Sequence, residues 1–286
     1  MTANLTVAAL LAEGVAQLRA APAGTEAAAT PDLDAQLLLA NVLGLARTRL
    51  KSHPEIIPDP LRTQRYRALL ARRAAGEPLA YLTACRDFWS LSLTVTPAVL
   101  IPRPETELLV ERALTLRTAA DGCVADLGTG CGAIALALAS ERPRWRVVAT
   151  DACADALAIA RANAAALGLN WVEFRQGDWY QPLAGERFDL LLSNPPYVAA
   201  DDPALTTASL RHEPPQALTP GADALSSLRT LVRGAPQHLA SAGWLLLEHG
   251  ATQGAQVRRE LVLAGLRHVR SHRDLAGHER MSEGQR

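Results

Sequence analysis

The tetrapeptide Asn194-Pro195-Pro196-Tyr197 follows directly on the apolar run Phe188-Asp189-Leu190-Leu191-Leu192-Ser193. Proline carries no N–H, so a strand that ends in two prolines exposes carbonyls that no neighbouring donor claims. Asn194 brings a side-chain carbonyl to the same place. Two oriented acceptors of this kind suit both hydrogens of a planar NH2 group. An amide or aromatic amine has a delocalised lone pair, is a poor nucleophile, and is not usefully deprotonated by any side chain at neutral pH. Acceptors that localise electron density on the nitrogen and aim it at an electrophilic methyl replace base chemistry with positioning and electrostatics. Tyr197 is expected to press its ring on the planar target. A rigid loop after a strand would explain the two prolines but not the whole tetrapeptide.

A second constellation precedes it. Asp126-Leu127-Gly128-Thr129-Gly130-Cys131-Gly132-Ala133 follows an apolar run and opens a helical one. Glycines there let the backbone turn sharply and approach a ligand with no Cβ in the way. Asp151 ends the next apolar run, 19 positions after Gly132, where a carboxylate can accept both hydroxyl protons of a ribose. Together they describe a nucleoside site at the carboxyl edge of a sheet. Gly128, Gly130 and Ala133 also satisfy the dinucleotide fingerprint, so this pair of signals leaves NAD open. The Asn194 segment favours a methyl donor. Trp179, after Gly177-Asp178, supplies a ring suited to an adenine, while the role of Tyr180 is left undecided.

The elements that must position these residues can be read from periodicity. Residues up to about 83 read as helices, with Leu5, Ala8, Ala9, Ala12 and Ala16 at three- and four-residue steps and a run from Ala35 to Leu43 opened by Pro31 and stopped by Gly44. A further run, Arg62 to Ala75, carries Arg62, Arg65, Arg67, Arg72 and Arg73, which read as a solvated face. Phe88 to Val99 alternates like a strand, and Ile101-Pro102-Arg103-Pro104 reads as a rigid extended connector. Glu105 and Glu107 then sit where a helix dipole favours acids, before Leu108 to Leu116. Beyond it, strand-like runs (Cys123–Leu127, Arg146–Thr150, Trp171–Phe174, Phe188–Leu192, Trp244–Glu248) alternate with helical ones (Ala133–Ser140, Ala154–Leu167). That alternation specifies a parallel sheet flanked by helices. The expected organisation is an N-terminal helical domain over 1–83, a β-hairpin connector over 84–105, and an α/β domain over 106–286.

Composition narrows the classes. Lys+Arg 29 against Asp+Glu 29 leaves no net charge on 286 residues, which argues against a protein held to nucleic acid by phosphate neutralisation. An apolar fraction of 49% excludes disorder. No apolar stretch is long enough for a membrane span, the N-terminus has no basic leader, and the four cysteines lack metal-ligand spacing. A reduced, cytoplasmic protein without a metal is expected. Six of the 12 aromatic residues (Trp171, Phe174, Trp179, Tyr180, Phe188, Tyr197) fall between residues 171 and 197, which concentrates ring chemistry at the proposed site. His212, His249 and His278 are read as structural or solvated, since amide methylation needs no strong base.

The order Asp126-to-Gly132, Asp151, Asp178-Trp179, Asn194-to-Tyr197 resembles a class I S-adenosylmethionine methyltransferase of the amino-group type, with a Rossmann-like domain. With Phe88-Trp89-Ser90, Leu100 to Glu107, Arg211-His212-Glu213-Pro214 and Leu245 to Gly250, the chain is similar to the PrmC/HemK family of release factor glutamine methyltransferases over nearly its whole length. The resemblance implies methyl transfer from S-adenosylmethionine to the glutamine side-chain nitrogen of the Gly-Gly-Gln motif in peptide-chain release factors. It further implies that Gly128, Thr129, Gly130, Cys131, Gly132 and Asp151 hold the methionine and ribose parts of the cofactor and that Trp179 lies on the adenine. Asn194 would touch both cofactor and substrate. Asn194, Pro195, Pro196 and Tyr197 would bind the glutamine, with Asn194 and Pro195 as the catalytic acceptors. The family often has Thr or Ser where this chain has Cys131, a change of little expected consequence because the backbone does most of the work there. Arg103 and Glu105 either border the site or fix the domains. The resemblance leads us to expect a monomer acting on a protein, with no direct nucleic-acid or membrane partner. An adenine-N6 nucleic-acid methyltransferase and a non-catalytic nucleoside-binding module are the rival readings.

Overall fold

The computed structural model describes residues 5–22, 25–117, 119–207 and 209–286. The chain divides into two units: residues up to Cys85 together with Thr206–His212, and Arg86–Leu205 together with Glu213–Arg286.

The first unit is helical: α1 (Val7–Arg19), α2 (Glu26–Ala29), α3 (Pro31–Leu43), α4 (Arg47–Ser52), α5 (Pro60–Ala74) and α6 (Leu79–Thr83). The helix ends follow local chemistry. The Thr6 hydroxyl accepts from Ala9 N–H to cap α1, Asp59 accepts from Arg62 N–H with Pro60 at the first position of α5, and Gly44 ends α3 at φ 67°. Helix α1 buries Val7, Leu10, Gly14 and Leu18 along one seam. Gly14 is needed there because a Cβ would sit 2.1 Å from the Tyr66 hydroxyl of α5. Leu10, Leu38, Leu39, Tyr66 and Leu70 form the core of this unit, and truncating one such leucine to Ala costs roughly 2–5 kcal/mol.

The α5 arginines depart from a uniformly solvated face. Arg67 makes a bidentate pair with Glu13 and Arg72 one with Glu77. Arg73 is buried, its Nε 2.7 Å from the equally buried Asp34. The last turn of α5 faces α3, and a guanidinium enters that interior only because a carboxylate meets it there.

The second unit opens with the hairpin β1 (Cys85–Phe88) and β2 (Leu91–Thr94), whose first residue closes the first unit. Strand structure therefore stops short of the expected Val99, and Val95–Arg103 runs on without regular structure to a 3-10 turn, Pro104–Thr106. There follow α7 (Glu107–Leu116), β3 (Gly122–Leu127), α8 (Ala133–Glu141), β4 (Trp145–Asp151), α9 (Ala154–Ala166), β5 (Glu173–Gln176), β6 (Phe188–Ser193), α10 (Pro215–Leu218), α11 (Ser226–His238), β7 (Leu239–Glu248), α12 (Gly254–Leu263), β8 (Arg267–Arg273) and β9 (Glu279–Gln285). The last two strands were not separated in the sequence, where their arginines and polar residues hide the alternation. The strand expected over Trp171–Phe174 begins later, at Glu173, because a turn from Leu169 to Val172 occupies its start.

Seven strands pair in the order β5-β4-β3-β6-β7-β9-β8, parallel from β5 to β7 and antiparallel at β9 and β8. Val124–Leu127 and Leu190–Ser193 are buried throughout, as expected for central parallel strands covered on both faces. The chain winds outward from β3 to β4 to β5 and then returns to lay β6 on the other side of β3. Strand order thus reverses between β3 and β6, and the crevice beyond their carboxyl ends is where an open parallel sheet binds ligands.

Candidate active site

A cavity of about 220 Å³ opens at that reversal. Its walls bring together Gly128, Thr129, Gly130 and Cys131 after β3, Asp151 after β4, Gly177, Asp178 and Trp179 after β5, and Asn194 and Pro196 after β6. Four strand ends therefore converge on one volume, although the residues span almost 70 positions of sequence.

The glycine-rich loop is fixed from below. Gly128 and Thr129 N–H both donate to the Thr150 carbonyl at 2.9 Å, which ties the loop to β4. Gly128 has φ 76°, and a Cβ there would stand 3.2 Å from the Trp179 ring, so a side chain would close the slot between loop and indole. Gly132 caps the N-terminus of α8 and does not line the cavity. Asp126 is buried beneath the loop, with Oδ2 accepting from Thr129 Oγ1 at 2.6 Å and from Ala135 N–H at 3.3 Å. Burial pushes its carboxyl up to about 7, and its Oδ1 has no partner among the described residues.

Asp151 is oriented by two backbone donors, Gly130 N–H to Oδ2 and Cys153 N–H to Oδ1, each at 2.9 Å. Each carboxylate oxygen keeps a lone pair for a further donor, the pattern a vicinal diol requires. Cys131 lines the cavity, but burial raises its thiol to about 12, so it is not a nucleophile. Its carbonyl accepts from Asn163 Nδ2 at 2.9 Å, and the same Asn163 bonds both the N–H and the carbonyl of Thr94 on β2. One buried amide on α9 therefore joins the glycine loop to the hairpin.

Trp179 and Tyr180 part ways. Trp179 lines the cavity at φ 42°. Tyr180 stacks on His238 of α11 with ring centroids 4.6 Å apart and donates its hydroxyl to the Leu231 carbonyl at 2.7 Å.

At the amide side, Asn194 Nδ2 donates to Thr106 Oγ1 at 3.1 Å, Thr106 donates to Glu248 Oε2 at 2.7 Å, and Tyr197 donates to Glu248 Oε1 at 3.1 Å. Pro195 and Tyr197 are not among the lining residues. Pro195 is buried, and the Tyr197 ring packs against the apolar core. The ring that sequence reasoning sets against a planar target is anchored through its hydroxyl. Ala98–Leu100, Pro102 and Thr106 complete one wall, and Pro214, Gln216 and Ala217 another. Arg103 and Glu105 do not line it. The Arg103 guanidinium pairs instead with the buried Glu213, which also accepts Ile101 N–H at 3.1 Å, so the connector holds the segment that carries Pro214. Among the described residues no cluster of His, Cys, Asp and Glu is arranged to hold a metal.

Residues 104–225 match the Methyltransferase small domain family and residues 9–83 the PrmC N-terminal domain family. A release factor glutamine methyltransferase of Xylella fastidiosa is 53% identical over 88% of this chain and 92% of its own. The chain belongs to the release factor glutamine methyltransferase family. Its relative from Escherichia coli is 43% identical over 93% of this chain and 96% of its own. A 16S rRNA N2 G1207 methyltransferase of T. thermophilus, solved with AdoMet and guanosine, shares the fold at a TM-score of 0.52 and 19% identity, over 71% of this chain and 49% of that one. The cofactor of the family is S-adenosylmethionine. The cavity fits it: a diol acceptor in Asp151, a Cβ-free loop at Gly128, and an indole beside it.

Sequence reasoning missed Thr106, Glu213 and Glu248 as site residues, though each lies in a segment that carried the family resemblance. The available signal was the acid at the end of an apolar run, Leu245-Leu246-Leu247-Glu248, which repeats the form of the run ending at Asp151.

Proposed function

We propose that this chain transfers a methyl group from S-adenosylmethionine to the side-chain amide nitrogen of the glutamine in the Gly-Gly-Gln motif of peptide-chain release factors. The observation that carries this reading is the position of Asn194: it lines the same cavity as Gly128 to Cys131 and Asp151, with its Nδ2 already engaged by Thr106. Its Oδ1 is left to accept from a substrate.

Bound S-adenosylmethionine supplies an electrophilic methyl on a sulfonium centre. The chain's own residues do the rest by placement. Asp151 and the loop from Gly128 to Cys131 would hold the ribose and methionine portions, and Trp179 would cover the adenine. Asn194 Oδ1 would accept one amide hydrogen in the cavity, and the carbonyl of Pro195, a residue that is buried and off the lining, is the second acceptor we assign, so that the nitrogen lone pair would turn toward the methyl. The glutamine nitrogen so held would take the methyl that the sulfonium supplies, and its surplus proton would pass to water. No general base is required, because the nitrogen becomes acidic only as the bond forms.

The helical unit, residues 1–83, is assigned to docking the protein substrate. The enzyme acts in the cytoplasm as a monomer without direct nucleic-acid contact; the zero net charge supports a protein substrate. The test incubates the chain with labelled S-adenosylmethionine and, separately, release factor, its Gln→Ala variant and duplex DNA. Label is expected in the wild-type release factor alone. Label in DNA, or in the Gln→Ala variant as well, refutes the assignment.

A further inference from the structure

We propose that Glu248, acting through Thr106, fixes which way the Asn194 side-chain amide faces and is a positioning residue of the transfer site. The inference rests on the methyl-transfer reading. Glu248 is the last residue of β7 and Asn194 follows the last residue of β6. The two strands pair in parallel with Ser193 opposite Leu247, so Asn194 and Glu248 leave the sheet side by side. Thr106, from the turn ahead of α7, stands between them, and both Thr106 and Glu248 are buried.

The direction of the relay follows from proton counting. An ionised carboxylate only accepts, so Thr106 gives its single hydroxyl proton to Glu248 Oε2. The Thr106 oxygen is then left with lone pairs alone. Whatever meets it must bring an N–H, and Asn194 does so with Nδ2 at 3.1 Å. That leaves Oδ1 as the arm for the cavity. The flipped amide would set Oδ1 against an oxygen with no proton to offer and present an NH2 group to a substrate NH2 group, a donor facing a donor. The other carboxylate oxygen holds the Tyr197 hydroxyl, so one buried acid secures both ends of the Asn194-to-Tyr197 segment.

The relay has a second state. The groups facing Glu248 are Thr106 and Glu105 from the turn before α7, Tyr197 from the tetrapeptide, and Arg280 from β9. Burial, with the Glu105 charge adding to it, outweighs the hydrogen bonds from Thr106 and Tyr197 and the Arg280 charge, and pushes the Glu248 carboxyl up to about 7. A protonated Glu248 can donate to Thr106, which then donates to Asn194 Oδ1 and turns the amide the wrong way.

The experiment measures methyl transfer to the release factor by the full chain, with S-adenosylmethionine binding followed by calorimetry. Glu248→Gln keeps the shape but lets its NH2 donate to Thr106. We expect kcat to fall about 100-fold, the scale of losing one oriented hydrogen-bonding group in the transition state. The cofactor Kd should move less than about threefold, since binding of the nucleoside is untouched. Thr106→Val should fall similarly, while Thr106→Ser, which keeps the hydroxyl, should stay within about fivefold of wild type. The wild-type rate should drop as pH falls through about 7, and the Glu248→Gln rate should be low and lose that acid limb. If Glu248→Gln does not fold by circular dichroism, the contrast between Thr106→Val and Thr106→Ser decides. Wild-type turnover with no loss in Glu248→Gln, or equal rates in the two Thr106 variants, overturns the relay alone. No label from the wild-type chain overturns the methyl-transfer reading and the relay with it.

Discussion

Replacing Asp151 with Ala should weaken S-adenosylmethionine binding far more than it weakens the fold. The carboxylate receives one backbone N–H on each oxygen, from Gly130 and Cys153, and has one lone pair per oxygen left for the two ribose hydroxyls. Hydrogen bonds to a charged acceptor contribute about 1.5–3 kcal/mol each, so losing two removes roughly 3 kcal/mol at the lower end, which suits a cavity open to water. That corresponds to a Kd raised on the order of 100-fold. The structural loss is smaller, about 1 kcal/mol, because both backbone donors are only partly buried and water replaces the acceptor. Asp151→Asn separates the contributions. It keeps the size of the side chain, but its NH2 must face one of the two backbone donors, so affinity should fall to an intermediate value. Calorimetric titration with S-adenosylmethionine and with S-adenosylhomocysteine, alongside a thermal melt, measures both quantities. An Asp151→Ala protein that binds the cofactor within about threefold of wild type would remove the diol from the argument.

Three further outcomes follow from the packing. Arg73→Ala leaves Asp34 charged and buried without its partner and should cost about 3–5 kcal/mol in urea denaturation; an unchanged midpoint would show that Asp34 finds another donor. Asn163→Ala deletes three hydrogen bonds, two to Thr94 and one to Cys131; at about 1 kcal/mol each it should lower stability by roughly 3 kcal/mol and also weaken cofactor binding, and equal affinity in the variant would show that the loop holds its shape unaided. For Glu283, burial opposes ionisation, but hydrogen bonds from Arg112 and Arg270, with His272 Nε2 close by at 3.3 Å, win and hold the carboxyl at about 2 against an ordinary 4.5. A lowered folded-state value adds stability that is present above pH 4.5 and lost as pH falls toward 2, so the stability gap between wild type and Glu283→Gln should shrink over that window, and a constant gap would contradict the ion-pair account.

Much of the site was legible because its chemistry is local. The turn at Gly128 to Gly132 and the acid at Asp151 are constrained by backbone geometry within a single β-α-β passage, and the proline pair after Ser193 stops a strand wherever it occurs. The relay behind Asn194 was not legible, since its partners lie 88 and 142 positions apart in sequence, Asn194 to Thr106 and Thr106 to Glu248. Trp179 and Tyr180 are adjacent and chemically alike, and only the placement of α11 turns one inward to His238 and leaves the other on the cavity. The same holds for α5, where five arginines look equivalent until α3 brings Asp34 against Arg73 and none of the others.

By itself, the sequence determined the type of sheet and marked the glycine turn, Asp151 and the proline pair as a ligand-binding edge, because periodicity, proline and glycine act over a few residues; the choice of a methyl donor over NAD rested on the Asn194 segment and the family resemblance. The tertiary structure decided the strand order, and with it the reversal between β3 and β6 that sets Asn194 beside the glycine loop. It also decided the direction of the Asn194 amide, which the residue cannot choose for itself: its oxygen and nitrogen are nearly the same size, and only a buried carboxylate two hydrogen bonds away tells them apart.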